Sequence, residues 1–567
     1  MLSHVRTALL LLCGLALAAC SDPQPTATPD NSTGSGRIDT LTIGITQYPS
    51  TLNPVIGSMV AKSYVLGFSH RSLVRYNHEW VTECQTCETL PTIGNGLAKL
   101  ETTVDGKPGM AVTWVLKEGQ FWGDGTPVTT ADYAFAREVG QHPQSGAIAM
   151  ETWRTMIDLE IVDDRTMVIH TDRRFFGYNA IFRFSPLPAH LERAIFEDAP
   201  AEYKNRTLYM TEPTNPGLYS GPYLITETSR GSHITLERNP YWTGPVTAFN
   251  SITVRAIERT TTLEANLLSG SIDMVAGDLG MSIDQALAFR KRHGDDFQVM
   301  FKPGLLYEHI DVQLDNPILA DLRVRKALMY GMDRELLVER LFDDELPVAH
   351  SNIHPLDAVW SPDVPQYKHD PARAAGLLEA AGWMPGPDGV RRNAAGEPLQ
   401  IEILSTAGDK TRELVEQVLQ SQWREVGIDL RIRNEAPRIF FGETARKRKF
   451  DGLAMYAWAS WPEPTPRTLL HSTQIPSEEN GYSGQNYTGF IDPEVDALIE
   501  SIESTLDPDA RLPLWARLQR IYAEKLPVLP LYFRTNVDIL PKWLQGVRQP
   551  GHLMSTSQWV EEWSVAE

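Results

Sequence analysis

Few residue types in this sequence have a spacing that suggests chemistry, and the clearest is a C-x-x-C pair. Cys84 and Cys87 could bind zinc, carry out redox chemistry or form a local disulfide. One such pair supplies only half of a zinc site, and the sequence contains no second pair. In a secreted protein a structural disulfide between Cys84 and Cys87 is therefore the favoured use, with metal binding and redox chemistry as alternatives.

Two histidines, His350 and His354, have the spacing of a metal chelate. Four residues apart, they would share one face of a helix. Pro347 and Pro355 bracket them, however, and a residue that precedes proline is disfavoured in helix. We predict a polar loop here and no metal site.

The motifs of common catalytic and nucleotide-binding sites are absent. The sequence has no G-x-S-x-G elbow, no Walker A loop and no G-x-G-x-x-G turn. His78-Glu79 lacks the second histidine of H-E-x-x-H, because Thr82 occupies that position. We predict a protein that is not an enzyme and holds no cofactor. A secreted hydrolase with a site of unrecognised pattern is the alternative.

Length and charge narrow the class of protein further. The chain has 567 residues, of which 42% are hydrophobic, enough for three or four domains with a large core. Its formal charge of −20 argues against nucleic-acid binding, since an acidic surface repels phosphate backbones.

The first residues predict export and a lipid anchor. Arg6 precedes an apolar run at 8–17, which is typical of a secretory signal and too short for a spanning helix of about 20 residues. The run ends in LAAC at 17–20, which resembles a bacterial lipobox. We predict a signal peptide at 1–19, lipidation of Cys20, and a flexible tether over 20–37 that is rich in Pro, Ser, Thr and Gly.

The body shows a mixed α/β pattern. Period-two alternation predicts strands at 41–45, 111–116, 234–236 and 252–254. The clearest unit is a strand at 401–404, an amphipathic helix ended by Gly427, and a strand at 428–432, which predicts a βαβ crossover with parallel strands. Asp370, Asp492 and Asp507 each precede a proline, as N-caps do.

Five segments in order then resemble the extracellular solute-binding proteins, family 5, of ABC importers, the class that contains dipeptide-, oligopeptide- and nickel-binding proteins. The segments are 51–54, 114–129, 221–223 with 236–242, 321–328 and 379–383. The resemblance covers nearly all of the chain after the tether. Most of these residues also suit turns and helix caps, so they indicate the fold more than the binding site.

The resemblance implies an α/β, two-lobed periplasmic-binding-protein fold (class II-like) with an extra subdomain on the first lobe. We expect lobe 1 at 38–68, 213–302 and 525–567, the subdomain at 69–212, and lobe 2 at 303–524. The ligand would lie in the cleft between the lobes, which close by hinge motion near 301–307 and 526–531.

The resemblance also places the binding site. In peptide-binding members an aspartate of the second lobe pairs with the α-amino group of the ligand, and Ser460 stands at that position here. A hydroxyl brings no compensating charge, so ordinary peptide binding is in doubt and Glu463 is the nearby substitute. The further candidate ligand-binding residues are Tyr48, Tyr307, His309, Trp458, Trp461, Asn486 and Tyr487.

The function that follows is a substrate-binding lipoprotein that captures peptide or peptide-like solutes and delivers them to an ABC permease with its ATPases. It would be a monomer at the periplasm or cell surface, held to a bacterial membrane by lipid on Cys20. The alternatives are a binding protein for a non-peptide solute or metal chelate, and a peptide-sensing receptor or chaperone without transport.

Overall fold

The structure is a computed structural model that describes residues 39–148, 150–182 and 184–566. The predicted signal peptide, Cys20 and the tether lie outside these residues. None of the helices within the described ranges has both the length and the apolarity needed to cross a membrane.

The strands belong to a long mixed sheet, a four-stranded sheet and two small ribbons. In chain order they are β1 (Thr40–Ile45), β2 (Val74–Tyr76), β3 (Thr82–Cys84), β4 (Ala98–Thr102), β5 (Pro108–Val115), β6 (Met156–Ile161), β7 (Thr166–Thr171), β8 (Tyr223–Ser229), β9 (His233–Arg238), β10 (Ser251–Ala256), β11 (Met274–Val275), β12 (Phe297–Val312), β13 (Gln400–Leu404), β14 (Asp429–Ile432), β15 (Leu453–Ala459), β16 (Val528–Pro541), β17 (Leu544–Gln545) and β18 (Ser564–Val565).

The helices pack on the faces of these sheets. They are α1 (Val60–Ser69), α2 (Thr130–Gln141), α3 (Met150–Thr155), α4 (Ala189–Asp198), α5 (Tyr203–Arg206), α6 (Leu208–Thr211), α7 (Thr260–Leu268), α8 (Ile283–His293), α9 (Leu322–Gly331), α10 (Arg334–Phe342), α11 (Pro371–Ala380), α12 (Lys410–Glu425), α13 (Pro437–Ile439), α14 (Arg467–Leu470), α15 (Pro493–Ser504) and α16 (Pro508–Lys525). A π-helical turn, Phe440–Thr444, continues α13.

The predicted local elements are confirmed. The crossover at 401–433 is β13, α12 and β14, and its two strands are parallel, with Ile401 opposite Leu430. Asp370, Asp492 and Asp507 accept hydrogen bonds from backbone N–H groups at the starts of α11, α15 and α16. His350 and His354 lie in an irregular segment rather than on one helix.

The long sheet has the order β14-β13-β15-β12-β16-β11-β1-β10-β9-β8. A separate antiparallel sheet, β4-β5-β7-β6, lies within the segment 69–212 that we expect to form the subdomain. Cys84 and Cys87, in the same segment, are joined by a disulfide.

Two long antiparallel strands, β12 and β16, join the two ends of the sheet. Their register is regular from Phe297 to Pro303, shifts between Pro303 and Tyr307, and shifts again between Glu308 and His309. On β16 the first shift lies near Arg534, between Thr535 and Phe533, and the second lies at Leu531, between Tyr532 and Pro530. The two shifts fall in or next to the ranges 301–307 and 526–531, where hinge crossings stay a prediction.

The centre of the sheet holds a buried charge cluster. The Glu308 carboxylate on β12 is fully buried and accepts hydrogen bonds from Arg412 Nε at 2.6 Å and Arg534 Nε at 2.7 Å. Asp409 lies 3.6 Å from Arg412 and 3.7 Å from Arg534. Burial alone would raise the pKa of Glu308, but the two guanidinium groups hold it below its usual value.

We expect Glu308→Gln to lower the free energy of unfolding at pH 7 by about 3 kcal/mol, because removing one partner leaves buried charge uncompensated. The stabilisation is present above the ordinary pKa near 4.5 and is lost as the pH falls below it. Denaturant unfolding measures this loss. The control is Glu118→Gln, which removes a carboxylate that is 81% exposed. Equal effects of the two substitutions would contradict the prediction.

Candidate ligand-binding site

One edge of β15 is open for most of its length. β12 pairs with β15 from Leu453 to Ala459, but on the other side β13 pairs only with Leu453 and Ala454 among the described residues. β13 and β14 are parallel and end here, and ligands of open α/β sheets bind beyond the carboxyl ends of the strands. Met455 and Tyr456 are nevertheless buried, so the backbone that is available to an extended ligand is that of 457–459.

Aromatic side chains surround this open edge. Trp458 lies 6.0 Å from Tyr456 and 6.5 Å from Tyr487, with nearly perpendicular rings at 77° and 87°. On the π-helical turn, Phe441 is 40% exposed and stands at 89° to the Tyr456 ring, 5.8 Å away. Tyr456 and Tyr487 are buried, so the apolar surface beside the strand edge comes from Phe441 and the half-buried Trp458.

A second aromatic cluster, which we call the clasp, joins distant parts of the chain. The Trp461 ring stacks on Phe182 at 5.6 Å and lies 6.1 Å from Tyr76, while Tyr76 and Phe182 are 3.8 Å apart. The Tyr76 hydroxyl also donates to the carbonyl of Pro462 at 3.2 Å. The clasp thus connects the segment 69–212 to the loop that follows β15.

Glu463 is committed to an ion pair in that loop. Its two carboxylate oxygens accept from Arg511 Nε at 2.5 Å and from Arg511 Nη2 at 2.8 Å, and Arg511 is buried. This placement argues against Glu463 as the partner of a ligand ammonium, because the ion pair already uses its charge.

Asp357 is a buried acid beside the same loop. Its carboxylate accepts hydrogen bonds from the backbone N–H groups of Glu463 at 2.9 Å and Val359 at 3.1 Å. No ion pair of Asp357 with Lys, Arg or His occurs within 4.0 Å in the part of the chain that the structure describes. Burial, and then the charge of Glu463, raise the pKa of Asp357 to about 6 although the backbone hydrogen bonds oppose them.

The family of the chain is settled by sequence comparison. Residues 93–477 match the model described as "Bacterial extracellular solute-binding proteins, family 5 Middle". The chain belongs to this family.

Individual relatives support the assignment. The oligopeptide-binding protein OppA of Bacillus subtilis (strain 168) is 24% identical over 96% of each chain. The oligopeptide-binding protein from Thermus thermophilus, solved with a pentapeptide, has a TM-score of 0.70 at 26% identity and covers 93% of this chain and 96% of its own. NikZ from Campylobacter jejuni, solved with Ni(L-His), also has a TM-score of 0.70, at 23% identity, and covers 93% and 99%. The predicted two-lobed α/β fold of family 5 is confirmed.

Two predicted site residues, Tyr307 and His309, are buried on β12. The Tyr307 hydroxyl is 3.2 Å from that of Tyr522. His309 has Nδ1 3.0 Å from the Tyr307 carbonyl and Nε2 3.5 Å from Asp311. Burial raises the pKa of Tyr307, so it stays a neutral phenol. Tyr307 stands opposite Trp458 and His309 opposite Tyr456, so the two side chains share the face of these rings but are covered.

Asn486 is another predicted site residue whose side chain is buried. It is fully buried, its amide nitrogen donates to the carbonyl of Phe490 at 2.8 Å, and its amide oxygen accepts from Phe490 N–H at 3.0 Å. These bonds fix the turn that presents Tyr487. Asn486 therefore has a structural role in the fold.

The remaining predicted residues lie near the strand end or are half-buried. Ser460 is half-buried, and its backbone N–H donates to the Leu305 carbonyl at 3.1 Å, which continues the β15–β12 pairing. Its hydroxyl donates to the Trp461 carbonyl at 3.3 Å. Tyr48 is half-buried just after β1, and burial raises its pKa.

Sequence reasoning missed Tyr76, Phe182, Asp357 and Phe441. Tyr76 and Pro462, for example, are 386 positions apart in the chain and meet only in the fold. No local pattern marks these residues, and an apolar pair such as Phe440-Phe441 is ordinarily part of the core.

We expect Asp357 to lower the free energy of unfolding as the pH rises. The folded state holds its proton up to about pH 6, whereas the unfolded chain releases it near 3.8, so stability is lost between these values. Relative to Asp357→Asn, the unaltered protein should lose on the order of 1–3 kcal/mol between pH 4 and pH 7.

Denaturant unfolding at several pH values measures that difference. Asp363→Asn is the matched control, because Asp363 is exposed on the same segment. A difference between the Asp357→Asn variant and the unaltered protein that does not change with pH would contradict the prediction.

Proposed function

We propose that this protein is the substrate-binding lipoprotein of an ABC importer and that it captures peptide or peptide-like solutes in the cleft between its lobes. The observation that carries the proposal is the unpaired and partly exposed edge of β15 at 457–459. An extended peptide adds to such an edge through main-chain hydrogen bonds, which any sequence supplies.

The surroundings of the edge suit this role. Aromatic rings with few polar anchors are typical of ligand sites, and Trp458 and Tyr487 lie directly beside the strand. The relatives include proteins named oligopeptide-binding and a structure with a bound pentapeptide. Capture, closure and delivery to a permease require no bond chemistry, in keeping with the non-enzymatic relatives.

A metal chelate or another non-peptide solute is the second candidate. The observation that favours it is Ser460, together with the ion pair that occupies Glu463. A ligand ammonium buried beside a hydroxyl alone would lack a compensating charge. Among the relatives, NikZ was solved with Ni(L-His).

The experiment that decides between the two is native mass spectrometry of the protein as it is purified from its host. A ladder of peptide masses supports the proposal. A single metal-containing or non-peptide adduct supports the second candidate, and turnover of the bound compound would contradict both.

In this proposal the clasp stabilises the closed arrangement of the two lobes. We expect Trp461→Ala to weaken binding of the co-purified ligand about tenfold, because stacking with Phe182 and Tyr76 stabilises the closed arrangement. Trp458→Ala should weaken it by a similar factor through loss of the contact surface. Both side chains are half-buried, so the thermal midpoint should change little.

Calorimetry measures these affinities. Trp543→Ala is the matched control, because Trp543 packs on Phe249 near β10 and is also half-buried. Unchanged affinity in both the Trp461 and Trp458 variants would contradict the proposed site.

The lipid anchor is a separate part of the proposal. We expect the full chain, expressed in a bacterium that processes lipoproteins, to incorporate radiolabelled palmitate and to fractionate with membranes. Cys20→Ser should abolish both, whereas Cys13→Ser, which changes a cysteine inside the apolar run, should leave both unchanged. Palmitate incorporation that persists in the Cys20→Ser variant would contradict the assignment.

A further inference from the structure

A cavity of about 460 Å³ lies apart from the candidate ligand-binding site. Its walls come mainly from the segment 69–212, from the loop at 241–245 and from the C-terminal turn at 559–562, and no residue of β15 or of the loop after it lines the cavity. Sites for small molecules commonly have volumes of about 300–1,000 Å³. The cavity is therefore large enough for a small ligand, and its lining residues indicate the chemistry of that ligand.

The acidic side chains in the cavity wall are each neutralised by a guanidinium group. The pairs are Glu561 with Arg71, Glu562 with Arg548 and Glu118 with Arg165, each with an O···N distance of 2.6 Å. A carboxylate that already has a cationic partner attracts a further cation only weakly. These acids therefore do not make the cavity a site for a cation.

Two further cations in the wall, Arg75 and Lys117, are balanced less completely. Arg75 Nε donates to Glu83 Oε1 at 2.7 Å, and Arg75 Nη1 donates to the Gln558 carbonyl at 2.9 Å. Lys117 Nζ donates to the Gln85 carbonyl at 2.9 Å, and no carboxylate of the described residues lies within 4.0 Å of it. The wall thus keeps one positive charge, that of Lys117, without an acidic partner.

Arg75 and Lys117 are close enough to repel each other. Partial burial and then the charge of Arg75 lower the pKa of Lys117, although Glu83 opposes them. An anion bound to both cations would relieve this repulsion. Among the described residues, the hydrogen bonds of Arg75 use Nε and Nη1, so Nη2 remains as a donor beside Lys117 Nζ.

Aromatic rings hold the guanidinium groups of the wall in place. Arg71 lies 5.4 Å from the ring centre of Trp242, and Arg75 lies 5.1 Å from that of Trp559, which is buried. Such stacking fixes the cations before a ligand arrives. Tyr241, by contrast, is 45% exposed and lines the same cavity, so its ring is available to the apolar part of a ligand.

We propose that this cavity is a second binding site, separate from the cleft, for a small organic anion that carries one carboxylate or phosphate group. Lys117 Nζ and Arg75 Nη2 bind the anionic group, and Tyr241 contacts the organic part. The inference goes beyond the proposed function and does not depend on it, because the cavity shares no residue with the candidate ligand-binding site.

The test uses benzoate, phenyl phosphate and the neutral benzyl alcohol as probes, in NMR titrations of the full chain as it is purified from its host. We expect at least one of the two anions to bind with a Kd below about 1 mM and benzyl alcohol to bind at least about tenfold more weakly. The tighter anion identifies the group that the site prefers. Added salt should weaken its binding, because it screens the attraction to the two cations.

Variants then assign the binding to the cavity. Lys117→Met keeps the apolar stem and removes the charge, so it should weaken binding of the tighter anion at least about tenfold. The thermal midpoint should stay unchanged, since Lys117 is exposed, and Lys117→Arg, which keeps the charge, should retain most of the affinity. Lys99→Met is the matched control, because Lys99 is exposed on β4 in the same segment and does not line the cavity.

Three results would overturn the inference. They are failure of both anions to bind at concentrations up to about 10 mM, binding of benzyl alcohol as tight as that of the anions, and anion binding that Lys117→Met leaves intact. None of these results bears on the capture of solutes in the cleft, which mass spectrometry of the co-purified ligand tests separately.

Discussion

The pairing of β12 with β16 is the constraint on which the rest of the structure depends. β11 pairs with β16 and β15 pairs with β12, so among the described strands the β12–β16 ladder is the strand pairing that joins the two ends of the long sheet. The irregular register between Pro303 and Tyr307 interrupts this pairing at its middle. Glu308, with Arg412 and Arg534, lies beside the interruption and joins three elements there through charge. In a two-lobed protein that closes by hinge motion, this interrupted pairing is where we expect β12 and β16 to bend.

In and around the loop after β15, polar groups fix the backbone, while the aromatic side chains are partly exposed. Ser460 continues the strand pairing, Asp357 holds the Glu463 N–H, and Glu463 holds Arg511. Each of these contacts fixes the loop, and together they position Trp458 and Trp461 on either side of Ser460. Buried polar groups are costly unless they are hydrogen-bonded, and a group that already has a partner inside the loop is less available to a ligand. Trp458 and Trp461, by contrast, are half-buried.

The features that the sequence predicted correctly are those that depend on local interactions. The β13–α12–β14 crossover and the Asp370 cap depend on periodicity and on neighbours within four residues, and both were predicted correctly. The family resemblance placed the site loop at the end of β15, but it did not show that Arg511 uses the charge of Glu463. It also gave no sign of the clasp, because Tyr76, Phe182 and Trp461 are brought together only by the packing of distant segments. The buried position of Asn486 was missed for a related reason, since an amide can bind a ligand or fix a turn and its spacing does not distinguish the two.

These contacts bear on Ser460, which stands where the family resemblance leads us to expect an aspartate. A site that relies on a carboxylate recognises a ligand by one charge, with an attraction that reaches several ångströms and weakens with salt. Here the acids near the strand end are either paired, as Glu463 is, or held by backbone N–H groups, as Asp357 is. The recognition that remains available comes from main-chain hydrogen bonds and ring surfaces, both of which act only at contact distance. In the site that we propose, selectivity therefore rests on the shape and apolar area of the ligand that meets the rings beside the open edge of β15.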